Sequence, residues 1–128
     1  MSALLALLLQ AAASAPEPEP AWQSLGVHGG VDTSYDPATV RTEGGRVRVR
    51  IRGQLPGAGT DGMRLVTGTL AIDCAGGTAT ALEVKGYDAE GRLMLNAVVP
   101  AAEQQAEPIR PDSPNAAVRT QVCRSQDR

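Results

Sequence analysis

A chain of 128 residues has room for one modest domain, and with no Phe, one Trp and two Tyr it must build its core from small aliphatic side chains. A net charge of −2 and so few aromatic rings exclude a nucleic-acid binder, which needs a basic surface and stacking platforms. One histidine and two cysteines make no four-ligand metal set, so neither a metal nor another cofactor is expected.

Met1 to Ala15 is a leucine-rich apolar run that ends in small residues, and Pro16-Glu-Pro-Glu-Pro20 forbids helix beyond it. This is the layout of a secretory signal peptide, and the run is shorter than the roughly 20 apolar residues of a spanning helix, so no membrane span is expected. Ala11 and Ala13 favour cleavage after Ala13, because cleavage after Ala15 would leave Pro16 directly beyond the cut. No Lys or Arg precedes the leucines, which leaves a short anchor as the alternative, and no cysteine follows them to accept a lipid. The expected organisation is a signal peptide over 1–13, a Pro/Glu/Ala-rich tether over 14–21 and one domain over 22–128.

The domain opens with two expected strands, Trp22–His28 and a stretch around Tyr35–Arg41, with turns at Asp36-Pro37 and Glu43-Gly-Gly45. From Gly45 to Gly53 the chain alternates without a break, placing Arg46, Arg48, Arg50 and Arg52 on one face and Val47, Val49 and Ile51 on the other. Residues 41–52 hold five arginines against Glu43, a local charge of +4 that leaves −6 for the rest of the chain. Gly57-Ala-Gly-Thr-Asp-Gly62 fits the spacing of a dinucleotide-binding loop, but a strand and not a helix follows, so it is expected to be a flexible turn.

Arg64–Cys74 alternates as well, with Val66, Leu70, Ile72 and Cys74 on the core face and Thr67, Thr69 and Asp73 opposite. Gly68 falls on the core face, a gap suited to a bulge or to the close approach of another element such as a packed helix. Thr78–Tyr87 and Arg92–Val99 form a hairpin through Asp88-Ala-Glu-Gly91, with Leu82, Val84, Leu93, Leu95, Ala97 and Val99 expected inside. Pro100–Pro111 is a loop. Ser113 then caps a helix with Pro114 at its first position, running to about Arg124. Val118, Val122 and Cys123 share one face of that helix, and Arg119 falls in the same arc; either its stem snorkels past the sheet edge or the helix is rotated otherwise.

Two isolated cysteines behind an export signal imply a structural disulfide, Cys74 to Cys123. It would close a loop of roughly 50 residues, worth about 4 kcal/mol in the chain-entropy account. The spacing excludes a Cys-x-x-Cys redox pair.

Taken in order, Trp22, Tyr35-Asp36, the Val-rich strand, Ile72-Asp73-Cys74, Tyr87-Asp88 with Gly91, and Ile109-x-Pro111-x-Ser113 leading to Val122-Cys123 resemble the surface-adhesin protein E family of Gram-negative bacteria. The resemblance covers Trp22 to Cys123. It implies an α+β fold: a curved antiparallel sheet of about six strands whose C-terminal helix is tethered to the concave side by the Cys74–Cys123 bridge. It also implies an exported, non-catalytic binding protein, at the cell surface or in the periplasm, with extracellular-matrix proteins as partners and a homodimer as one state. The chain departs from the family in lacking a lipid-bearing cysteine, and in having no aromatic residue in Gln105-Ala106-Glu107-Pro108.

For function, the Arg46, Arg48, Arg50 and Arg52 ladder is the one distinctive surface. It spans about 20 Å, at about 3.3 Å per residue, and suits sulfated glycans, acidic lipid headgroups or an acidic protein patch. The plainer reading is a solvated face whose arginines pair with Glu83 or Asp73 across strands. The alternative function is a periplasmic accessory or ligand-binding envelope protein that ignores the arginines. A hydrolase would have to rest on His28 alone, with no nucleophile motif beside it.

Overall fold

The alternating runs form the strands of one antiparallel sheet: β1 (Gln23–His28), β2 (Val31–Glu43), β3 (Arg46–Gln54), β4 (Leu65–Asp73), β5 (Thr78–Tyr87) and β6 (Leu93–Val98), adjacent in space in that order. A computed structural model describes residues 20–57 and 62–124 of the chain. The expected signal peptide, most of the tether and the centre of the Gly57–Gly62 turn lie outside the described residues. Within Pro100–Pro111, expected to be loop throughout, Ala101–Glu103 forms a 3-10 turn and Ala106–Pro108 a short strand, β7, that pairs with the start of β5. The C-terminal helix, α1, runs Pro114–Cys123.

The meander follows from its connections. Gly29-Gly30 joins β1 to β2 and Gly44-Gly45 joins β2 to β3, and all four residues have positive φ. Two-residue hairpins of that kind match the right-handed twist of their strands. The expected turn at Asp36-Pro37 is instead a bulge inside β2: Asp36 pairs with Arg50 and Arg41 with Arg48, so residues 37–40 stand opposite Val49 alone. Pro37 has no N–H for the ladder. Thr39 repairs the gap, its hydroxyl donating to Asp36 O at 2.7 Å and accepting from Arg50 N at 2.9 Å.

A second irregularity lies where β4 meets β5. Thr69 pairs with Glu83 and Leu70 with Ala81, which leaves Leu82 as an extra residue. A Cβ on Gly68 would come 2.7 Å from Glu83 O, so the gap at Gly68 is filled by the bulged backbone of β5 and not by the helix. The bulge also turns Leu82 away from the core side, where alternation had placed it; it lines a small hollow with Arg46, Arg48 and Ala71.

α1 starts as the sequence dictates. Ser113 is extended, its Oγ accepts from Ala116 N at 3.1 Å, and Pro114 takes the first turn. The helix lies over β1, β2 and β3. Val118, Val122 and Cys123 pack there with Tyr35, Val47, Val49, Leu70, Ile72 and Ala79 to make the core. The bridge between Cys74 and Cys123, with Cα atoms 5.7 Å apart, ties the end of the helix to the turn after β4.

Because the helix covers only that part of the sheet, β6 is left bare. Leu93 and Leu95, expected inside, are 53% and 41% exposed, and Met94 and Val98 are exposed too. β6 is an edge strand, and its apolar side chains are only partly covered, Met94 by the chain at Gly62.

Candidate functional site

On β3 the alternation holds as expected. Val47 and Val49 are buried against the helix side, while Arg46 and Arg48 are exposed and Arg50 and Arg52 half-buried on the opposite face. Register extends that face across the sheet. Arg52 aligns with Ser34 on β2 and Thr67 on β4, and Thr67 with Lys85 on β5; Arg50 aligns with Asp36 and Thr69. The result is a polar surface centred on the arginine ladder.

The expected cross-strand pairing with carboxylates does not occur. Glu83 turns to Lys85, with O and N 3.8 Å apart, and Asp73 accepts from Gly76 N at 2.9 Å to close the β4–β5 turn. Asp36 accepts from Ala38 N inside the β2 bulge. Among the described residues no carboxylate oxygen lies within 4.0 Å of the guanidinium of Arg46, Arg48, Arg50 or Arg52, although Asp73 stands directly opposite Arg46 in register. Asp36, Asp73 and Glu83 are held by their own turns and neighbours, while Glu43, opposite Arg46 in register and lining the same small hollow as Arg46 and Arg48, stays beyond ion-pair distance of both.

Trp22 is the partner that the sequence did not disclose. Its ring lies under two of the arginines, with the guanidinium carbon of Arg52 4.9 Å and that of Arg50 5.9 Å from the ring centroid. The register explains the meeting: Gln23 pairs with Tyr35 and Tyr35 with Ile51, so the residue before Gln23 points to the face of Arg50 and Arg52. Contacts of this type are worth about 0.5–1 kcal/mol each at exposed sites, and they orient guanidinium groups without consuming their N–H donors. Neighbouring arginines about 6.7 Å apart along a strand repel by about 0.6 kcal/mol in water, a cost that an incoming anion would reverse in sign.

The remaining chemistry-bearing residues have structural occupations. His28 Nε2 donates to Leu25 O at 2.7 Å, so the lone imidazole braces β1. Among the described residues no three His, Cys, Asp or Glu side chains gather to hold a metal, and no helix is long and apolar enough to cross a membrane. Arg119, whose place in the apolar arc of the helix left two readings, is half-buried and sends its Nη2 to Cys74 O at 2.7 Å, so its stem passes the core to reach the β4–β5 turn.

Comparison with known proteins gives this arrangement relatives. The sequence profile described as Surface-adhesin protein E matches residues 22–124. No curated protein sequence matches the chain. Among solved structures, one crystal form of Haemophilus influenzae protein E superposes with a TM-score of 0.53 at 16% identity, covering 89% of this chain and 100% of that one. Another structure of Haemophilus influenzae protein E gives a TM-score of 0.50, also at 16% identity, covering 87% of this chain and 91% of that one. At such identity the superpositions speak for the fold, and the match over residues 22–124 speaks for the lineage. The chain belongs to the surface-adhesin protein E family.

Proposed function

We propose that this protein is an exported binding module whose Arg46, Arg48, Arg50 and Arg52 face recognises acidic partners, either a sulfated glycan or an acidic patch on an extracellular protein. The observation that carries the proposal is the ladder's lack of carboxylate partners among the described residues, together with the stacking of Arg50 and Arg52 on Trp22. A merely solvated face gains from cross-strand ion pairs, and here Asp73 and Glu83 are engaged elsewhere. Four arginines on one strand present a line of positive charge that steers an anion from solution, and Arg50 and Arg52, held on Trp22, lose less side-chain freedom on contact than free arginines do. Family membership supports a surface-adhesin role and a non-catalytic one, and the layout that the sequence leads us to expect, a signal peptide over 1–13 before the domain over 22–128, supports export.

Charge reversal in Arg48→Glu/Arg50→Glu is expected to weaken retention on a heparin-oligosaccharide column sharply while moving the thermal midpoint little. Retention unchanged in that variant would remove the ladder from the account. Protease shaving of intact cells, repeated after permeabilising the outer membrane, places the domain: loss of a tag from intact cells supports the adhesin reading. Protection until permeabilisation supports the periplasmic alternative.

The bare β6 edge supports a second element of the reading, a homodimer. Leu93, Met94, Leu95 and Val98 lie on a strand with one unpaired side, and pairing of two such edges would bury them. Sedimentation of the wild type against Leu95→Lys tests it, a dimer that becomes a monomer being the expected result.

A further inference from the structure

On the helix side of the sheet, the face opposite the arginine ladder, a groove of about 650 Å³ opens beside the disulfide, between α1, the Ile109–Pro111 segment and the turns after β2 and β4, with Gly45 beside Arg46 in its wall. Three arginines line it: Arg110 from the segment before the helix, Arg119 from the middle of the helix and Arg124 from its end. None of the described residues that line it is acidic, and among the described residues no carboxylate oxygen lies within 4.0 Å of any of the three guanidinium groups. The volume falls in the range of small-molecule sites.

We infer that this groove is an anion-binding site for a small organic molecule carrying two phosphate or sulfate groups. Arg119 is held in place by its bond to Cys74 O, which uses one of its five N–H donors and leaves the rest of the fork available. Arg119 and Arg124 stand five residues apart, about 7.5 Å of helix rise and about 140° around the axis, so they reach the groove from different sides, and a bis-anion spans both forks where a monoanion engages one. Electrostatics favours the same ligand. The C-terminal end of a helix contributes roughly −0.5 charge near Arg124, against +3 from the three side chains. The disulfide fixes the floor of the groove by tying Cys74 and Cys123, both of which line it, to one another. This site is separate from the ladder, so either can fail without the other.

The test is titration of the full domain with fructose 1,6-bisphosphate, followed by amide chemical shifts, with inorganic phosphate as the single-anion comparison. The expected result is a saturable shift at Cys74–Gly77 and Ala116–Arg124, with inorganic phosphate weaker by about tenfold or more. Arg110→Gln/Arg124→Gln, which alters two exposed side chains and spares the bond of Arg119, should weaken the bisphosphate by about tenfold or more, while Arg48→Gln/Arg50→Gln leaves it unchanged. No saturable shift at millimolar bisphosphate, equal affinity for inorganic phosphate, or shifts that map to Arg46–Arg52 would each overturn the assignment.

Discussion

Arg119 and Trp22 show how single residues acquired roles that periodicity alone did not assign. Arg119 falls among apolar helix positions because its stem crosses the core edge while its head reaches Cys74 O at 2.7 Å. Replacing it with Met keeps the stem and removes the bond. Arg119→Met is therefore expected to lose about 1–3 kcal/mol in urea unfolding, since it leaves a partly buried carbonyl without its charged donor; a loss near zero would make the contact incidental. Trp22 could not be placed beside Arg50 and Arg52 without the order of β1, β2 and β3, which no local pattern contains. His28 was legible as a residue without catalytic company, and its bond to Leu25 O gives it a bracing role.

At the scale of elements, β3 and α1 were legible because each obeys one local rule: strict alternation from Arg46 to Arg52, and a Ser-Pro start at Ser113 and Pro114. The hairpin β5–β6 was legible, and Val84 and Ala97 keep the face alternation gave them; only Leu82 was misplaced, because the extra residue there hands its place on the core face to Ala81. Gly68 marks that bulge. Gly68→Ala would push a methyl into Glu83 O and is expected to cost about 1–3 kcal/mol, lowering the thermal midpoint by several degrees. An unchanged midpoint would mean that β5 can retreat freely.

The loop of the same hairpin carries a pH signature. Asp88 Oδ1 accepts from Arg92 N at 2.8 Å and Glu90 N at 3.0 Å, and its Oδ2 meets Arg92 Nε at 2.8 Å. The Arg92 backbone amide is the leading cause that holds this carboxyl below the ordinary aspartate value. A carboxylate whose pKa is lower in the folded state adds stability that is present above its unfolded pKa, and loses it as pH falls through the folded one. A carboxyl-detected titration should find Asp88 below about 3.9, with loop amides 88–92 shifting in the same acid range. A midpoint at or above 3.9 would contradict the hydrogen-bonded loop.

For the whole molecule, the disulfide and the partial cover of the sheet are two consequences of one placement. α1 lies over β1–β3, its end is bridged to the turn after β4, and β6 stays bare. The bridge was legible from two isolated cysteines and the expectation of export. The exposure of Leu93 and Leu95 was not, because it depends on how far the helix reaches. Cys74→Ala/Cys123→Ala is expected to lose about 2–4 kcal/mol in chemical unfolding, a large share of the stability of a domain this size. Loss of less than about 1 kcal/mol would show that packing of Val118 and Val122 alone holds the helix. The groove beside the bridge stayed hidden for a similar reason, since its arginines come from segments that only the folded chain brings together.

Anion binding by the ladder would take place beside Trp22, and the sole tryptophan makes it directly measurable. Titration of the domain with a heparin oligosaccharide should change Trp22 fluorescence saturably, the change should weaken as salt rises, and Arg50→Glu/Arg52→Glu should abolish it. Binding detected by calorimetry with Trp22 emission unmoved, or an undiminished fluorescence response in the charge-reversed protein, would contradict the account.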